Sequence, residues 1–202
     1  AIIVIKKLWE GTLVTHKGKY FNLKKANLYT KSSTPIPIHV GSFGVRSAKT
    51  AGKYADGYIT FSKDRFKSVL WPAVEEGAKE MGRDPSKIEK ITGFCSSYDE
   101  DYDKALNEAL IWRAAFPMPH FLYNIYDPRE MEENGKLVGK EQFTQGYLIA
   151  TNAEDYIKWF EDNINMGFNN IFIGSQSPNN EQFFKIMKEK VLPYIRETYR
   201  NK

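Results

Sequence analysis

The stretch of sequence that decides the fold is residues 36–59, which read IPIHVGSFGVRSAKTAGKYADGYI. It predicts a short apolar strand at 36–40, a glycine-bearing turn, a helix at about 44–54 and a second apolar strand at 57–61. A strand, a crossover helix and a second strand form a βαβ unit, which implies a parallel sheet with helices on its faces. The turn after the first strand is where an α/β protein usually binds its ligand.

The composition is that of a globular protein with one sizeable core, because 42% of the 202 residues are apolar and 27% are charged. The 29 basic residues are scattered among 25 acidic ones, so no basic cluster indicates a nucleic acid partner. No apolar run approaches the ~20 residues of a membrane span, and we expect no signal peptide. We therefore expect a cytoplasmic protein with neither a nucleic acid nor a membrane partner.

Cysteine and histidine give no sign of a metal site. The single cysteine, Cys95, excludes an internal disulfide and any cysteine-based zinc site, and its apolar neighbours predict a buried core thiol. The three histidines, at 16, 39 and 120, do not have metal-ligand spacing. His39 could face a ligand from its strand or be a satisfied structural histidine.

Apolar periodicity, glycines and prolines predict the other elements. Before the aromatic loop they are a helix end at 2–9, a hairpin within 12–34 that turns at Gly18, a long helix at 65–81 kinked or split at Pro72, a strand at 88–98 and a helix that starts in the acidic, solvated run 99–103. An aromatic and proline-rich loop follows at 116–130. After it come a short helix at 139–143, an extended segment at 147–150, a helix at 151–166, a strand at 168–174 and a closing helix at 180–200 kinked near Pro193.

These elements make about four strand-and-helix pairs, about half of a (β/α)8 barrel of roughly 250 residues. A doubly wound open sheet is the alternative, although the chain has no Gly-x-Gly-x-x-Gly fingerprint. We expect one domain, the C-terminal portion of a barrel, divided into 1–35 (helix end and excursion), 36–115 (βα units), 116–146 (aromatic insertion) and 147–202 (last βα unit). Because the chain lacks an initiator Met and opens on what reads as a helix end, we expect a fragment.

The turn at 41–44, Gly-Ser-Phe-Gly, leads backbone N–H groups into a helix N-terminus, an arrangement that suits a phosphate. Glycines also end strands for purely geometric reasons, so the alternative is a structural turn. Arg46 and Lys49 on the following helix add positive charge, or are only solvated. The aromatic loop is interpreted either as a lid or pocket wall, or as a packing insertion or an oligomer contact. His120 in this loop is a candidate substrate contact. Trp112 and Arg113 either line a pocket or pack.

Four short motifs carry a resemblance to a known family. They are Leu8-Trp9 followed by Gly11, Gly18-Lys19-Tyr20-Phe21, Pro37-Ile38-His39-Val40-Gly41 and Ala51-Gly52-Lys53-Tyr54-Ala55-Asp56-Gly57. These motifs are similar to the C-terminal half of the bacterial-luciferase-like superfamily. The resemblance implies a (β/α)8 barrel that binds FMN or the deazaflavin coenzyme F420.

Further motifs narrow the resemblance to the branch of F420-dependent glucose-6-phosphate dehydrogenases, over essentially the whole chain. They are Ser62-Lys63, Pro72-Ala73-Val74-Glu75-Glu76-Gly77-Ala78, Ala105-Leu106-Asn107 with Trp112, Asp127-Pro128 with Glu130-Met131-Glu132, and Glu141-Gln142. By this resemblance hydride passes between the deazaflavin and a sugar carbon, at the C-terminal mouth of the barrel strands.

The resemblance also implies site residues. The loop Gly41, Ser42, Phe43, Gly44 and Val45 matches the coenzyme phosphate loop, with Phe43 and Val45 in place of a Gly and a Pro, and Phe43 narrows the approach to the phosphate. Lys63 matches one cation that grips the sugar phosphate. The expected substrate contacts are Lys63, Trp112, Arg113 and His120.

Two other cations of the sugar-phosphate pocket correspond here to Leu122 and Gly146. Each charge-assisted hydrogen bond contributes about 1.5–3 kcal/mol, so their loss makes glucose 6-phosphate a poor substrate. A less charged alcohol, aldehyde or sugar is favoured instead.

The family's catalytic acid and base lie in the first four βα units, so we expect the catalytic residues upstream of Ala1. The expected partners are a small-molecule substrate, a missing N-terminal half or complementary chain, and a second copy in a homo-oligomer. Two alternatives remain: an FMN-dependent monooxygenase of the same fold, and a non-catalytic remnant or subunit that keeps the barrel helices for assembly.

Overall fold

The computed structural model describes residues 1–115, 125–178 and 180–200. The chain divides into two compact units, Ala1–Ile91 and Thr92–Lys202, and passes from one to the other within a single strand. Each unit combines helices with parallel strand pairs. The predicted α/β class is therefore present in both units.

The elements of the first unit follow one another as the sequence predicts. They are α1 (Ile2–Trp9), β1 (Val14–Lys17), β2 (Asn22–Ala26), β3 (His39–Gly41), α2 (Val45–Tyr54), β4 (Gly57–Ile59), α3 (Lys63–Arg65), a π-helical turn (Phe66–Leu70), α4 (Trp71–Glu80), a 3-10 turn (Pro85–Lys87) and the first residues of β5 (Glu89–Tyr98).

The βαβ unit predicted from residues 36–59 is confirmed. Strand β3 pairs with β4 in parallel, with His39 opposite Gly57, and β4 pairs with the start of β5 in parallel, with Gly57 opposite Glu89. Helix α2 connects β3 to β4 and turns Ala48 and Ala51, both fully buried, toward the core. Parallel strands need such a crossover, because a short turn cannot return the chain to the same end of the sheet.

The predicted hairpin is also present. Strands β1 and β2 pair antiparallel, and the turn closes at Gly18, whose N–H donates to the carbonyl of Phe21 at 3.0 Å. An extra residue on β2 shifts the register between Val14 and His16, and Lys25 adopts a φ of 50° there. Such a bulge bends the strand and lets a residue take a left-handed conformation.

The second unit holds the remaining helices and strands. Its elements are the later part of β5, α5 (Tyr102–Ala109), a 3-10 segment (Leu110–Ala115), α6 (Pro128–Lys136), α7 (Lys140–Gln145), β6 (Leu148–Ala150), α8 (Ala153–Asn165), β7 (Asn170–Ser175), α9 (Asn180–Ile186), a second π-helical turn (Met187–Val191) and α10 (Leu192–Thr198).

Strand β5 organises this unit. Its Ser96 and Tyr98 lie opposite Leu148 and Ala150 of β6 in a parallel pair, and β7 also pairs with β5. The helices cover the strands with two apolar clusters. One is built around Tyr98, Tyr156, Phe183 and Val191, and the other around Leu106, Ala109, Val138, Phe143 and Tyr147.

Both predicted helix kinks coincide with π-helical turns. The turn Phe66–Leu70 ends two residues before Pro72, and Met187–Val191 ends two residues before Pro193. Proline lacks an N–H and its ring crowds the carbonyl four residues earlier, so a widened turn just before it accommodates the missing hydrogen bond.

Helix α6 differs from the sequence-based prediction, which placed an irregular loop over 116–130. Asp127 is the N-cap and accepts a hydrogen bond from the N–H of Arg129 at 3.0 Å, and Pro128 occupies the first turn. Both residues are helix-start signals, and the surrounding prolines and aromatics obscured them. Residues 116–124 of the predicted loop lie outside the described residues.

Candidate functional site

In the first unit, the predicted phosphate loop at 41–45 follows the carboxyl end of β3 and leads into α2. Its Ser42 N–H donates to the carbonyl of Ile59 at 3.0 Å. The hydroxyl of Tyr58, a fully buried residue, donates to the carbonyl of Ser42 at 2.9 Å. The loop is therefore held against β4 by two hydrogen bonds of Ser42, one donated by its backbone N–H and one accepted by its carbonyl.

The loop has the features of an anion site. Helix α2 has ten residues, and its N-cap, Gly44, supplies no side-chain cap to the first-turn N–H groups. Within the described part of the chain, the buried Oγ of Ser42 has no hydrogen-bond partner. A β-carbon placed on Gly44 would meet no atom of the described residues within 4 Å, so there is open space beside the N-cap. A phosphate is one group that would satisfy these donors.

Two residues beside the loop were not predicted. The rings of Phe43 and Phe61 lie 6.2 Å apart, and the guanidinium of Arg65 donates to the carbonyl of Phe43 at 3.3 Å. Both Phe61 and Arg65 follow the carboxyl end of β4, as does Lys63, the first residue of α3. The side-by-side parallel pairing of β3 and β4 brings the two loops together, a placement that periodicity alone does not reveal.

The two helix cations differ in their surroundings. Lys49 makes ion pairs of 2.6 Å with both Glu76 and Glu80, and the hydrogen bonds to these carboxylates raise the pKa of Lys49. Arg46 is exposed on the first turn of α2. Lys49 therefore binds carboxylates of α4, whereas Arg46 lies at the start of α2, next to the predicted phosphate loop.

His39 lies next to Glu89, with 3.6 Å between its Nε2 and a carboxylate oxygen. Its imidazole is 27% exposed. It belongs to β3, whose pairing with β4 places it opposite Gly57, and a β-carbon on Gly57 would lie 2.7 Å from the imidazole. These contacts support a structural role, but the buried Nε2 of His39 has no hydrogen-bond partner among the described residues, so the prediction of a satisfied histidine is wrong in that respect.

In the second unit, the structure separates the two predicted substrate residues on the 3-10 segment. The indole N–H of Trp112 donates to the carbonyl of Gln176 at 3.1 Å. Arg113 instead lines a cavity of about 440 Å³ together with Glu132 and Lys136. The third predicted contact of this part of the chain, His120, lies outside the described residues.

A polar cluster around Gln176 was missed by the sequence reasoning. The hydroxyl of Tyr147 donates to Oε1 of Gln176 at 2.7 Å, and Nε2 of Gln176 donates to the sulfur of Cys95 at 3.1 Å. Burial raises the pKa values of both Tyr147 and Cys95. Cys95 is half-buried and packs against the apolar cluster around Phe143 and Tyr147, so the predicted buried core thiol is only partly buried.

The acidic run before α5 starts the helix as predicted, but Asp99 is not on the solvated face that was predicted. Asp99 is 7% exposed, pairs with the ammonium of Lys104 and accepts from the N–H of Asp101 at 3.0 Å. The hydrogen bond from Lys104 lowers the pKa of Asp99. Asp101 is the N-cap of α5, as a helix start requires.

Two classes of feature are missing from the described residues. In residues 1–115, 125–178 and 180–200, no group of three or more His, Cys, Asp or Glu side chains could hold a metal ion. No helix in the same ranges is both long and apolar enough to cross a membrane.

Comparison with known proteins places this geometry in a family context. The family model described as luciferase-like monooxygenase matches residues 1–170. A curated relative from Microbacterium testaceum, named F420-dependent glucose-6-phosphate dehydrogenase, is 26% identical over 202 residues, which cover 98% of this chain and 60% of the relative.

Two solved structures resemble the chain closely. An F420-dependent secondary alcohol dehydrogenase in complex with an F420-acetone adduct superposes with a TM-score of 0.86 at 38% identity, over 96% of this chain and 60% of that one. The coenzyme F420-dependent tetrahydromethanopterin reductase from Methanopyrus kandleri gives 0.70 at 25% identity, over 95% of this chain and 60% of that one. The predicted α/β barrel fold class is confirmed, and the chain spans about 60% of the length of these relatives.

Proposed function

Because the chain belongs to the luciferase-like monooxygenase family, we propose that it is part of an oxidoreductase that uses coenzyme F420. The bound deazaflavin would accept or supply a hydride, and the substrate would be a small alcohol, aldehyde or sugar. The relatives that support this proposal are named as F420-dependent dehydrogenases or reductases.

The observation that carries the proposal is the loop at 41–45. Among the described residues, its Ser42 hydroxyl has no hydrogen-bond partner, its helix end has no side-chain cap and Gly44 has open space beside it, and these features fit a phosphate of the coenzyme. Arg65, beside the carbonyl of Phe43, adds a positive charge at the same edge. These residues would bind and orient the coenzyme's phosphate, and Phe43 would narrow its approach.

For the substrate, we favour a small secondary alcohol or its ketone over glucose 6-phosphate. The relative at 38% identity is named a secondary alcohol dehydrogenase, whereas the curated glucose-6-phosphate dehydrogenase is 26% identical. Of the expected phosphate cations only Lys63 is kept, since Leu122 and Gly146 carry no charge. Without those cations, a sugar phosphate would leave its charge poorly compensated.

Trp112 would contribute a wall of the substrate site. Its side chain is exposed, and its indole N–H donates to the carbonyl of Gln176, the first residue after the carboxyl end of β7, so it lies at that end of a strand. Barrels of this type bind substrates at that end of their strands. Arg113 and His120 remain proposed substrate contacts, although Arg113 lines the cavity that also contains Glu132 and Lys136.

An FMN-dependent monooxygenase is the alternative within the fold, and a non-catalytic subunit is the alternative outside enzymes. Equilibrium titrations of the purified intact protein with F420 and with FMN separate these functions. We expect F420 to bind at least about tenfold more tightly than FMN, and 2-propanol to reduce bound F420 while glucose 6-phosphate does not. Tighter FMN binding would favour the monooxygenase, and binding of neither coenzyme would contradict both enzyme functions.

A further inference from the structure

Gln176 is the first residue after β7, and all its hydrogen-bonding groups are engaged. Its backbone N–H donates to the carbonyl of Ser96 at 2.8 Å, which continues the contact between β7 and β5. Its backbone carbonyl accepts the indole N–H of Trp112 at 3.1 Å. A single residue thus connects the end of β7 with β5 and with the 3-10 segment that carries Trp112.

The side chain of Gln176 is fixed from two directions. Its amide oxygen accepts from the hydroxyl of Tyr147 at 2.7 Å, and its amide nitrogen donates to the sulfur of Cys95 at 3.1 Å. The Tyr147 hydroxyl also lies 3.3 Å from the carbonyl of Ser96. The two groups restrain the amide in either orientation, because a tyrosine hydroxyl and a thiol can each donate or accept a hydrogen bond.

Tyr147 is itself held rigidly. It is 3% exposed, and its ring stacks on Phe143 with 4.7 Å between ring centroids. A well-packed aromatic ring loses little further freedom when its hydroxyl forms a hydrogen bond, so that bond restrains its partner efficiently. The rigid packing of Tyr147 in the core therefore restrains Gln176 and, with it, the start of the loop that follows β7.

Trp112 is the last residue in this series of hydrogen bonds. Its indole has one polar group, the N–H, and the carbonyl of Gln176 accepts it. Within the described residues, 45% of the Trp112 surface is exposed, so part of this side chain is accessible to a ligand. Without the hydrogen bond, an exposed indole on a short 3-10 segment would sample several rotamers.

We propose that Gln176 is a positioning residue that holds the indole of Trp112 as a fixed wall of the substrate site, and that Tyr147 fixes Gln176 in turn. The proposal rests on the proposed function for the statement that Trp112 contacts substrate. A fixed wall determines which alcohols fit, since a rigid apolar surface discriminates by shape whereas a mobile one adapts. Gln176 therefore influences the choice of substrate without touching it.

The restraint itself can be tested without coenzyme or substrate. The protein is labelled with 5-fluorotryptophan, and its 19F spectrum is assigned by replacing each of the four tryptophans with Phe in turn. Gln176→Leu is expected to shift and broaden the Trp112 resonance, with the other resonances unchanged. Gln145→Leu, at an exposed glutamine at the end of α7, is the matched control and should leave the spectrum unchanged.

Tyr147→Phe provides a second variant in case Gln176→Leu does not fold. It keeps the ring stacked on Phe143 and removes only the hydroxyl that restrains Gln176. A shift of the Trp112 resonance in the same direction is expected. If the Trp112 resonance is unchanged in a folded Gln176→Leu or Tyr147→Phe protein, the positioning role is overturned.

The kinetic test uses the intact protein and a series of secondary alcohols of increasing size. We expect Gln176→Leu to raise KM for the preferred alcohol about tenfold and to flatten the preference across the series, with the Kd for F420 unchanged. In a Trp112→Phe background, Gln176→Leu should add no further change. An additional tenfold loss in that background would overturn the proposal. Absence of all alcohol oxidation would contradict the proposed function, and the 19F result would still decide the restraint.

Discussion

The carboxylate of Asp56 accepts a hydrogen bond from the backbone N–H of Ile38, with 2.9 Å between the two atoms. Ile38 directly precedes β3, and Asp56 directly precedes β4, so the bond ties together the starts of two paired strands. Lys6 donates to the same carboxylate at 2.8 Å from α1. The acidic residue of the Ala-Asp-Gly segment thus has a structural role, at the strand end opposite the phosphate loop.

Asp56 should make the stability of the protein depend on acidic pH. Burial alone would raise the pKa of Asp56, but the hydrogen bonds from Lys6 and Ile38 outweigh burial and lower it below its ordinary value of 3.8. A carboxyl whose folded pKa is lowered stabilises the fold above its unfolded pKa, and this contribution is lost as pH falls through the folded pKa. We expect Asp56→Asn to lower the free energy of unfolding at pH 7 and to have a smaller effect below about pH 4. Urea unfolding of both proteins across this range checks it, and an effect that stays constant down to pH 2 would contradict it.

Gly52 should be intolerant of a methyl group although it lies inside a helix. A β-carbon there would lie 2.0 Å from the carbonyl oxygen of Val74 on α4, and one on Gly77 would lie 2.0 Å from the carbonyl oxygen of Lys49 on α2. Alanine normally stabilises a helix interior by about 1 kcal/mol relative to glycine. We expect Gly52→Ala instead to destabilise the protein by about 1–3 kcal/mol, because backbone atoms must move.

Gly174→Ala, in strand β7, is the control for that experiment, since its β-carbon would meet nothing within 4 Å and its φ is not in the left-handed region. Its free energy of unfolding should stay within about 0.5 kcal/mol of the wild-type value. Equal losses for the two variants would show that close helix packing is not the cause.

Gly44→Asp should weaken coenzyme binding far more than folding. Asp is a favourable N-cap, and Gly44 has a φ of −114°, which any residue can adopt. Its negative charge, however, would oppose a phosphate at the end of α2. We expect the Kd for F420 to rise at least about tenfold while the urea midpoint stays the same. Gly44→Asn supplies a neutral side chain of equal size, and affinity that is unchanged in the Asp variant would refute the phosphate-loop assignment.

Ionisation of Tyr156 in the unfolded state should reduce the free energy of unfolding of the protein at alkaline pH. Burial raises the pKa of Tyr156, and its hydroxyl lies 3.1 Å from Oγ of Ser96. Because the unfolded state ionises at a lower pH than the folded state, this contribution to stability is complete below about pH 10 and is lost above it. Tyr156→Phe should cost about 1 kcal/mol at pH 7 and lose less stability than wild type between pH 9 and 11. Tyr102→Phe, at a residue that is 49% exposed, should change neither value.

Cys95 should react slowly with thiol reagents in the folded protein. Burial raises the pKa of its thiol, and Nε2 of Gln176 lies 3.1 Å from the sulfur. Only the thiolate is nucleophilic, so a raised pKa and partial burial both lower the rate. Because Cys95 is the only cysteine, release of the chromophore from Ellman's reagent reports on it alone. We expect a rate at pH 8 at least about tenfold lower than in urea-unfolded protein, and equal rates would contradict the protected environment.

The resemblance to the luciferase-like family could also be found without the structure. It rested on short motifs such as Ala51–Gly57, in which Gly52 and Asp56 now have physical roles at the α2–α4 contact and at the strand starts. Helix α6 was missed because prolines and aromatics near 116–130 outweighed the capping signal at Asp127. A local pattern is ambiguous where two local signals disagree.

The sequence by itself determined the βαβ unit and the position of the loop at 41–45 that we propose binds phosphate, because strand and helix periods and turn glycines act over a few residues. Only the tertiary structure decided which side chains share a site. Trp112 and Gln176 are 64 residues apart in sequence, and Cys95 and Gln176 are 81 apart. Parallel strands bring such residues to one edge, and no period in the sequence encodes their proximity. Trp112 and Arg113 are neighbours in the chain but make different contacts, because successive side chains of a 3-10 segment point about 120° apart.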